Sequence, residues 1–382
     1  MSPDAIPYVQ SAASQEVPPP YHFPRVTVNA FVWEANLPQV QAYCDRFFNL
    51  GDAKGRGFTY RPAAVWPYAL LLFIEYPVMM SASPLPENIG QETPYGNRGI
   101  VSQTEVFVAL PVVRYGSAGR LLSDTNLEWA LPFIVVGEPM SAVCGREMLG
   151  LEKLRAKITI GESVFPDSFR GRVCLPGWKT DKPDEMQKML AFLEVDTGPA
   201  VPTWRGSAKE TSLWTLLRSR TAGNVIGALA TASEFVDTVS AGLVPMTMQT
   251  VSLKQFRDAK DPGKALYQAL INCRSKYTSI ENFKFYNEND VEITFHDDGS
   301  LSEIIPFVDL PAGAPRLAED RPNSFRPKAA YRFNATIDFD NMRTLHTFAV
   351  DRGPGLPPSK ATSDLISPWL RPWQGFFGPE RP

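Results

Sequence analysis

The sequence predicts one α+β domain built on a large antiparallel sheet. Three observations carry this. β-Branched and aromatic runs of strand length recur along most of the chain, and only a few segments show helical spacing. The 35 prolines fall largely between short apolar runs, a pattern of strands and loops rather than long helices. No internal repeat and no sharp linker divides the 382 residues, a length that suits one large domain or two ordinary ones.

Taken in order, residues 1–19 read as a disordered tail of Ser, Gln, Ala and Pro. Val26–Trp33 (VTVNAFVW) reads as a strand. Leu37–Asn49 places Val40, Tyr43, Cys44 and Phe47 at helical spacing, with Pro38 in the first turn, and Gly51–Gly57 is a turn-rich stop. Strands follow at Val65–Tyr76, Ile100–Val113 and Leu127–Val136. Pro139 opens a short helix through Met148, which Gly150 ends. Leu154–Gly161 and Ser168–Leu175 form a strand pair about a loop at Glu162–Pro166. Pro183–Glu194 reads as a helix carrying Met186, Met189, Leu190 and Leu193 on one face, and Lys209–Leu243 as one or two further helices. Strands return at Met246–Leu253, Leu270–Tyr277, Asn282–Tyr286 and Val291–Phe295, followed by a hairpin-type turn at Asp297-Asp298-Gly299. Pro311–Pro327 is a Pro-rich loop and Tyr331–Phe339 a late strand. The expected organisation is a single domain over 20–350, interrupted by a helical insertion at about 183–243, with a Pro- and aromatic-rich tail over 351–382.

Bulk properties exclude several functions. Hydrophobic residues make up 44% and charged residues 21%, ordinary for a chain that buries a core. A net charge of -3 argues against nucleic acid and against an anionic membrane surface as partners. Cys44, Cys144, Cys174 and Cys273 are too far apart for a CxxC motif and read as reduced thiols of a cytoplasmic protein. The start lacks the basic and apolar regions of a signal peptide. The most apolar run, Tyr68–Met80, is too short for a spanning helix and holds Glu75 and Pro77. There is no glycine-rich nucleotide fingerprint, no P-loop and no zinc motif, and His22, His296 and His346 are too scattered for a triad. Neither a metal nor a cofactor is expected.

The chemistry concentrates in Glu138–Lys157, EPMSAVCGREMLGLEKLRAK. Its core, Gly145-Arg146-Glu147-Met148-Leu149-Gly150-Leu151-Glu152-Lys153, resembles the signature of the acetoacetate decarboxylase superfamily, in which a Gly-Arg-Glu helical turn leads to a reactive lysine. Two other segments stand in the family's order. Pro20-Tyr21-His22-Phe23-Pro24-Arg25 is similar to the Pro-Tyr-x-Phe stretch that precedes an active-site arginine. Glu105 stands six residues before Pro111 in an apolar strand, as the family's glutamate does. The late strand Arg332–Phe348 is similar to the family's C-terminal strand-helix. The likeness covers much of 20–175 and 245–350, so the helical block and the last tail look like additions to a divergent, enlarged member.

The resemblance implies a curved antiparallel sheet or barrel with flanking helices. It also implies a cofactor-independent lyase, often oligomeric, whose lysine forms a Schiff base with a keto acid or ketone. Lys153 takes that role, Arg25 holds a substrate carboxylate or polarises an oxygen, and Glu105 pairs with Arg25 and handles protons. Arg146 and Glu147 are expected to form an ion pair that fixes the helix. Leu151, Leu154, Phe107 and Met148 are the expected apolar substrate wall, which disfavours the ammonium form of the lysine. The chain departs from the family pattern at two positions. Leu154 replaces the second lysine, whose charge is the activating device in acetoacetate decarboxylase itself, and Glu152 replaces a proline. β-Keto acid decarboxylation or a related aldol or dehydration step is therefore one reading. The rivals are a non-catalytic binder of an apolar carbonyl compound and a cyclase or isomerase with Glu105 as base.

Overall fold

The computed structural model describes residues 19–64, 66–81, 101–116, 125–162, 164–177, 186–202, 247–296 and 324–348. In chain order the elements are β1 (Tyr21–Glu34), α1 (Leu37–Phe47), α2 (Ala53–Arg56), β2 (Phe58–Pro62), β3 (Tyr68–Ser81), β4 (Val101–Gly116), β5 (Asn126–Val136) and α3 (Pro139–Glu147). Then come β6 (Leu154–Arg155), β7 (Lys157–Gly161), β8 (Arg170–Gly177), β9 (Lys188–Asp196), β10 (Ala200–Pro202), β11 (Thr247–Arg257), β12 (Ala265–Tyr286), β13 (Glu292–Phe295), β14 (Ser324–Phe325), β15 (Ala329–Phe339) and β16 (Arg343–Thr347).

The expected curved sheet is a closed barrel. Strands run in the order β4-β3-β1-β15-β12-β11-β5, and β5 returns to pair with β4, closing a ring of seven. Every pairing in the ring is antiparallel except β11 with β5. Closure leaves the ring without a free edge. A second sheet, β14-β13-β9-β8-β7, packs on its outside.

Two-residue periodicity sorts the strands into two cores. Val26, Val28, Ala30 and Val32 of β1, Leu70, Leu72, Ile74 and Tyr76 of β3, and Tyr331, Phe333, Ala335 and Ile337 of β15 belong to one apolar cluster, the barrel interior. The residues between them, such as Phe31, Leu71, Phe73, Val106 and Val108, belong to the other. That outer core is completed by Val40 and Cys44 of α1 and by Val173, Phe192, Leu193 and Ile293 of the second sheet. Strands buried on both faces read as continuous apolar runs, which is why Tyr68–Ile74 shows almost no alternation.

Three expectations are corrected. Pro183–Glu194 is not a helix: residues 188–196 form β9, hydrogen-bonded to β8 and β13. The helical face needed Met186 and Met189, yet both are exposed, while Phe192, Leu193 and Val195 are buried in the ladder. Residues 270–286 are one strand rather than two. Bulges between Tyr277 and Ser279 and between Glu281 and Lys284, with Asn282 at φ 53°, bend it without ending it. The C-terminal region is strand followed by strand, since Arg343–Thr347 pairs with β12 instead of forming a helix. The N-terminal tail through residue 18, the helical block 209–243, the turn 297–299, most of the loop 311–327 and the tail after 350 lie outside the described residues.

Candidate active site

Helix α3 begins where Pro139 presets the first turn and the Glu138 carboxylate accepts the Met140 N–H at 3.0 Å. It ends by unwinding. The N–H groups of Met148 and Leu149 both reach the Cys144 carbonyl, and Leu151 N–H reaches back to the Gly145 carbonyl at 2.9 Å. Gly150 takes φ 59° there. A side chain at Gly150 is barred twice over, since a Cβ would stand 2.8 Å from the Lys254 Cα as well as adopting a left-handed backbone. The Lys153 N–H then closes onto the Leu151 carbonyl at 2.7 Å, a three-residue turn centred on Glu152. This turn sends neighbouring side chains in opposite directions. Glu152 is exposed and accepts from Gln255 at 3.1 Å, whereas Lys153 is buried. Leu154 points into the outer core.

The Lys153 side chain lies along α3. Its Nζ donates to Glu105 Oε2 at 2.7 Å and to Ser141 Oγ at 3.2 Å. Ser141 and Gly145 are one helical turn apart and share a face. A Cβ at Gly145 would fall 2.4 Å from Lys153 Cδ and 2.6 Å from Cε, so this glycine is the groove in which the lysine stem rests. Only 6% of Lys153, 5% of Glu105 and 3% of Ser141 is exposed. Polar groups so far from water are costly to bury unpaired, and here each partner satisfies the other.

These groups open onto a cavity inside the barrel. Its volume is about 50 Å³, on a measure in which one water needs roughly 10–15 Å³. The wall is aromatic and apolar, from Tyr21, Phe23, Tyr76, Phe107, Leu151 and Tyr277 among others. Burial, then the Glu105 carboxylate and Tyr277, hold the Tyr76 phenol well above its usual range. Burial alone pushes the Tyr277 phenol up to about 12. Burial, then Cys144 and Cys273, raise Tyr21. At neutral pH these phenols are protonated.

Lys153 and Glu105 are thus brought into contact, and Phe107 and Leu151 line the same cavity. Met148 stands just behind it, taking a long contact from the Tyr21 hydroxyl to its sulfur at 3.9 Å. Leu154 is on the opposite side of its strand. Arg25 is not brought to the lysine. It sits exposed on a β1 bulge, at φ 58°, in a neighbouring open cleft with Glu75 and Glu138, and Glu105 pairs with Lys153 where the sequence suggested Arg25. Tyr76 and Gln103 line both spaces and form the wall between them. Glu147 is a charge neighbour of Lys254.

Sequence reasoning did not pick out Ser141, Gln103, Tyr76 or Tyr277, and it quoted Tyr21 only for the arginine that follows it. Gln103 and Ser141 carried a usable signal. Gln103 stands two before Glu105 on one strand, hence on the same face, and Ser141 stands one turn before Gly145. Tyr76 and Tyr277 come from strands remote in sequence and carried none. Among the described residues no group of three or more His, Cys, Asp or Glu side chains is arranged to hold a metal ion. No described helix is long and apolar enough to cross a membrane.

No protein-family model and no curated protein matches the sequence. Solved structures do. A crystal structure of acetoacetate decarboxylase from Legionella pneumophila superposes with a TM-score of 0.50 at 11% identity, covering 91% of this chain and 94% of that one. A second structure, described as acetoacetate decarboxylase, aligns with a TM-score of 0.47 at 12% identity, over 88% of this chain and 93% of that one. The seven-stranded barrel of this protein, with its flanking helices and outer sheet, is the acetoacetate decarboxylase fold.

Proposed function

We propose that the barrel cavity is the active site of a cofactor-independent lyase that carries a keto substrate as a Schiff base on Lys153. The observation that supports this most is the buried contact of Lys153 Nζ with Glu105 Oε2 at 2.7 Å on the wall of an aromatic cavity. Glu105 accepts a proton from the ammonium, which frees the amine's lone pair. The amine adds to the substrate carbonyl, and loss of water leaves the imine. Protonated, the imine draws the electron pair of a breaking bond to carbon. A β-keto acid then releases CO2 and leaves an enamine. The enamine takes a proton at carbon, and water hydrolyses the imine to return the free lysine. An aldol or dehydration step runs through the same enamine. Ser141 holds the nitrogen in place, and the protonated phenols of Tyr76 and Tyr277 offer donors to an oxygen in the cavity. Arg25, outside the cavity, has no part in the imine step.

The four cysteines are free, three of them buried, which supports placing the protein in a reducing cytoplasm.

The test is borohydride trapping with a panel of β-keto acids and ketones, read by peptide mass spectrometry. A reduced adduct on Lys153, absent in Lys153→Ala, is expected. Folded protein that yields no adduct with any of them overturns the imine. The ion pair itself favours one rival, in which Lys153 stays a cation and Glu105 acts as base in a cyclisation or isomerisation. Under the imine reading Lys153→Arg loses all turnover. Under the rival it keeps much of it, while Glu105→Gln loses roughly 100-fold or more.

A further inference from the structure

Gln103 stands two residues before Glu105 on β4 and lines the same cavity. It is 8% exposed, yet its carboxamide oxygen is buried and meets no hydrogen-bond donor of the protein. Buried polar atoms are nearly always satisfied, and one left open costs about 1–3 kcal/mol. Two neighbouring polar groups are engaged elsewhere, since the Glu105 carboxylate and the Ser141 hydroxyl both accept from Lys153, and the Tyr76 phenol across the ladder makes no hydrogen bond to this oxygen. Gln103 therefore carries an unused acceptor in the wall of the cavity.

We propose that Gln103 determines which carbonyl compounds the site accepts, by taking a hydrogen bond from a neutral donor on the substrate. The donor is a hydroxyl or amide N–H a few bonds from the carbonyl carbon. Gln and Glu side chains two apart on a strand are offset by about 7 Å along it, and Lys153 Nζ lies against Glu105. A carbonyl carbon bonded to that nitrogen thus sits within a short carbon chain of the carboxamide. The substrate class is a small hydroxy- or amido-ketone, and a plain ketone of equal size leaves the carboxamide unsatisfied. Sites that bind a donor group discriminate against analogues lacking it for this reason.

This rests on the imine reading, and the test separates the two. Borohydride-trapped adduct on Lys153 is measured against concentration for 4-hydroxybutan-2-one and for pentan-2-one. The expected half-saturating concentration is roughly 5- to 10-fold lower for the hydroxyketone. In Gln103→Met, which keeps the length and removes the acceptor, the ratio is expected to fall below about 2-fold. Gln103→Asn, which keeps the carboxamide but withdraws it, serves as the second variant if the methionine form does not fold. It is expected to fall between the two. Equal trapping of both ketones by the native protein, or an unchanged ratio in the folded variants, overturns the proposal. If neither ketone labels Lys153, the imine reading fails, and Gln103 is judged by calorimetric binding of the same two ketones. Tighter binding of the hydroxyketone, lost in Gln103→Met, supports the proposal; equal or absent binding overturns it.

Discussion

Among the described residues the barrel buries two carboxylates on adjacent strands, Glu128 and Glu105, and Glu105 lines the cavity described above whereas Glu128 does not. Glu128 on β5 is fully buried; its oxygens accept from Arg114 Nε at 2.9 Å and from the Tyr60 hydroxyl at 2.6 Å. Tyr60 belongs to the outer core, and Glu128 lines neither of the two spaces described above. Glu105 on β4 is just as deep and also holds a cation. Its partner is a lysine whose stem needs a bare glycine beneath it, and its neighbour Gln103 has an open acceptor. Burial and ion pairing are shared and do not distinguish a working site. What differs is an adjoining space and polar capacity left unused.

The largest expected effect breaks the comparison on the structural side. Glu128→Ala strands Arg114 and Tyr60, and a loss of about 3–5 kcal/mol is expected in denaturant melts. Adduct formation per folded molecule should stay the same, and a proportional loss of both would deny the division.

The next effect is alkaline. The Tyr277 phenol goes from its usual 10.0 to about 12 in the folded protein. Below pH 10 folded and unfolded chains both keep this proton, so stability is fully present there. Between about 10 and 12 the unfolded chain binds fewer protons, so stability falls as pH rises, by up to about 3 kcal/mol. Tyr60 beside the Glu128 carboxylate is shifted further upward, by burial first and then by Glu128, so the Tyr277 phenol should titrate before it. Phenolate absorbance followed alongside melting temperature checks both the window and the order.

Gly145→Ala sharpens the contrast from the other direction. Alanine normally favours a helix by about 1 kcal/mol over glycine. Here its methyl group collides with the Lys153 stem. The expected result is a stable helix with adduct formation slowed roughly 10-fold or more, about 1.4 kcal/mol. Unslowed trapping would mean that the groove is incidental.

The smallest effect is at Arg25. Arg25→Gly relieves the φ 58° backbone, is partly offset by glycine's greater freedom in the unfolded chain, and should raise stability by no more than about 1 kcal/mol. Adduct formation should change by less than about 2-fold. A larger fall would bring Arg25 back into the chemistry.

Much of this molecule was written locally. The helix opened by Asn36 and Pro38, the helix opened by Pro139 and the strands near 26–33, 101–113, 127–136 and 331–339 follow from caps, prolines and β-branched runs, which act within a few residues. Glu105 was legible because a charge inside an apolar run requires a partner or a use, and Lys153 because the residues leading to it resemble a known family signature. Other features depended on distant chain. The apolar spacing at 186–193 suited a helix, but pairing with β8 and β13 made it a strand, since ladder partners outweigh a weak local period. Closure of seven strands, which needs β4 to meet β5 while β5 also meets β11, has no local signature. The sequence by itself determined that Glu105 stands in an apolar strand and that Gly150 ends the helix ahead of Lys153. Only the tertiary structure decided that Glu105 takes Lys153 rather than Arg25, because Arg25 sits exposed on a bulge in β1 while the lysine stem runs over Gly145 of α3 to reach Glu105.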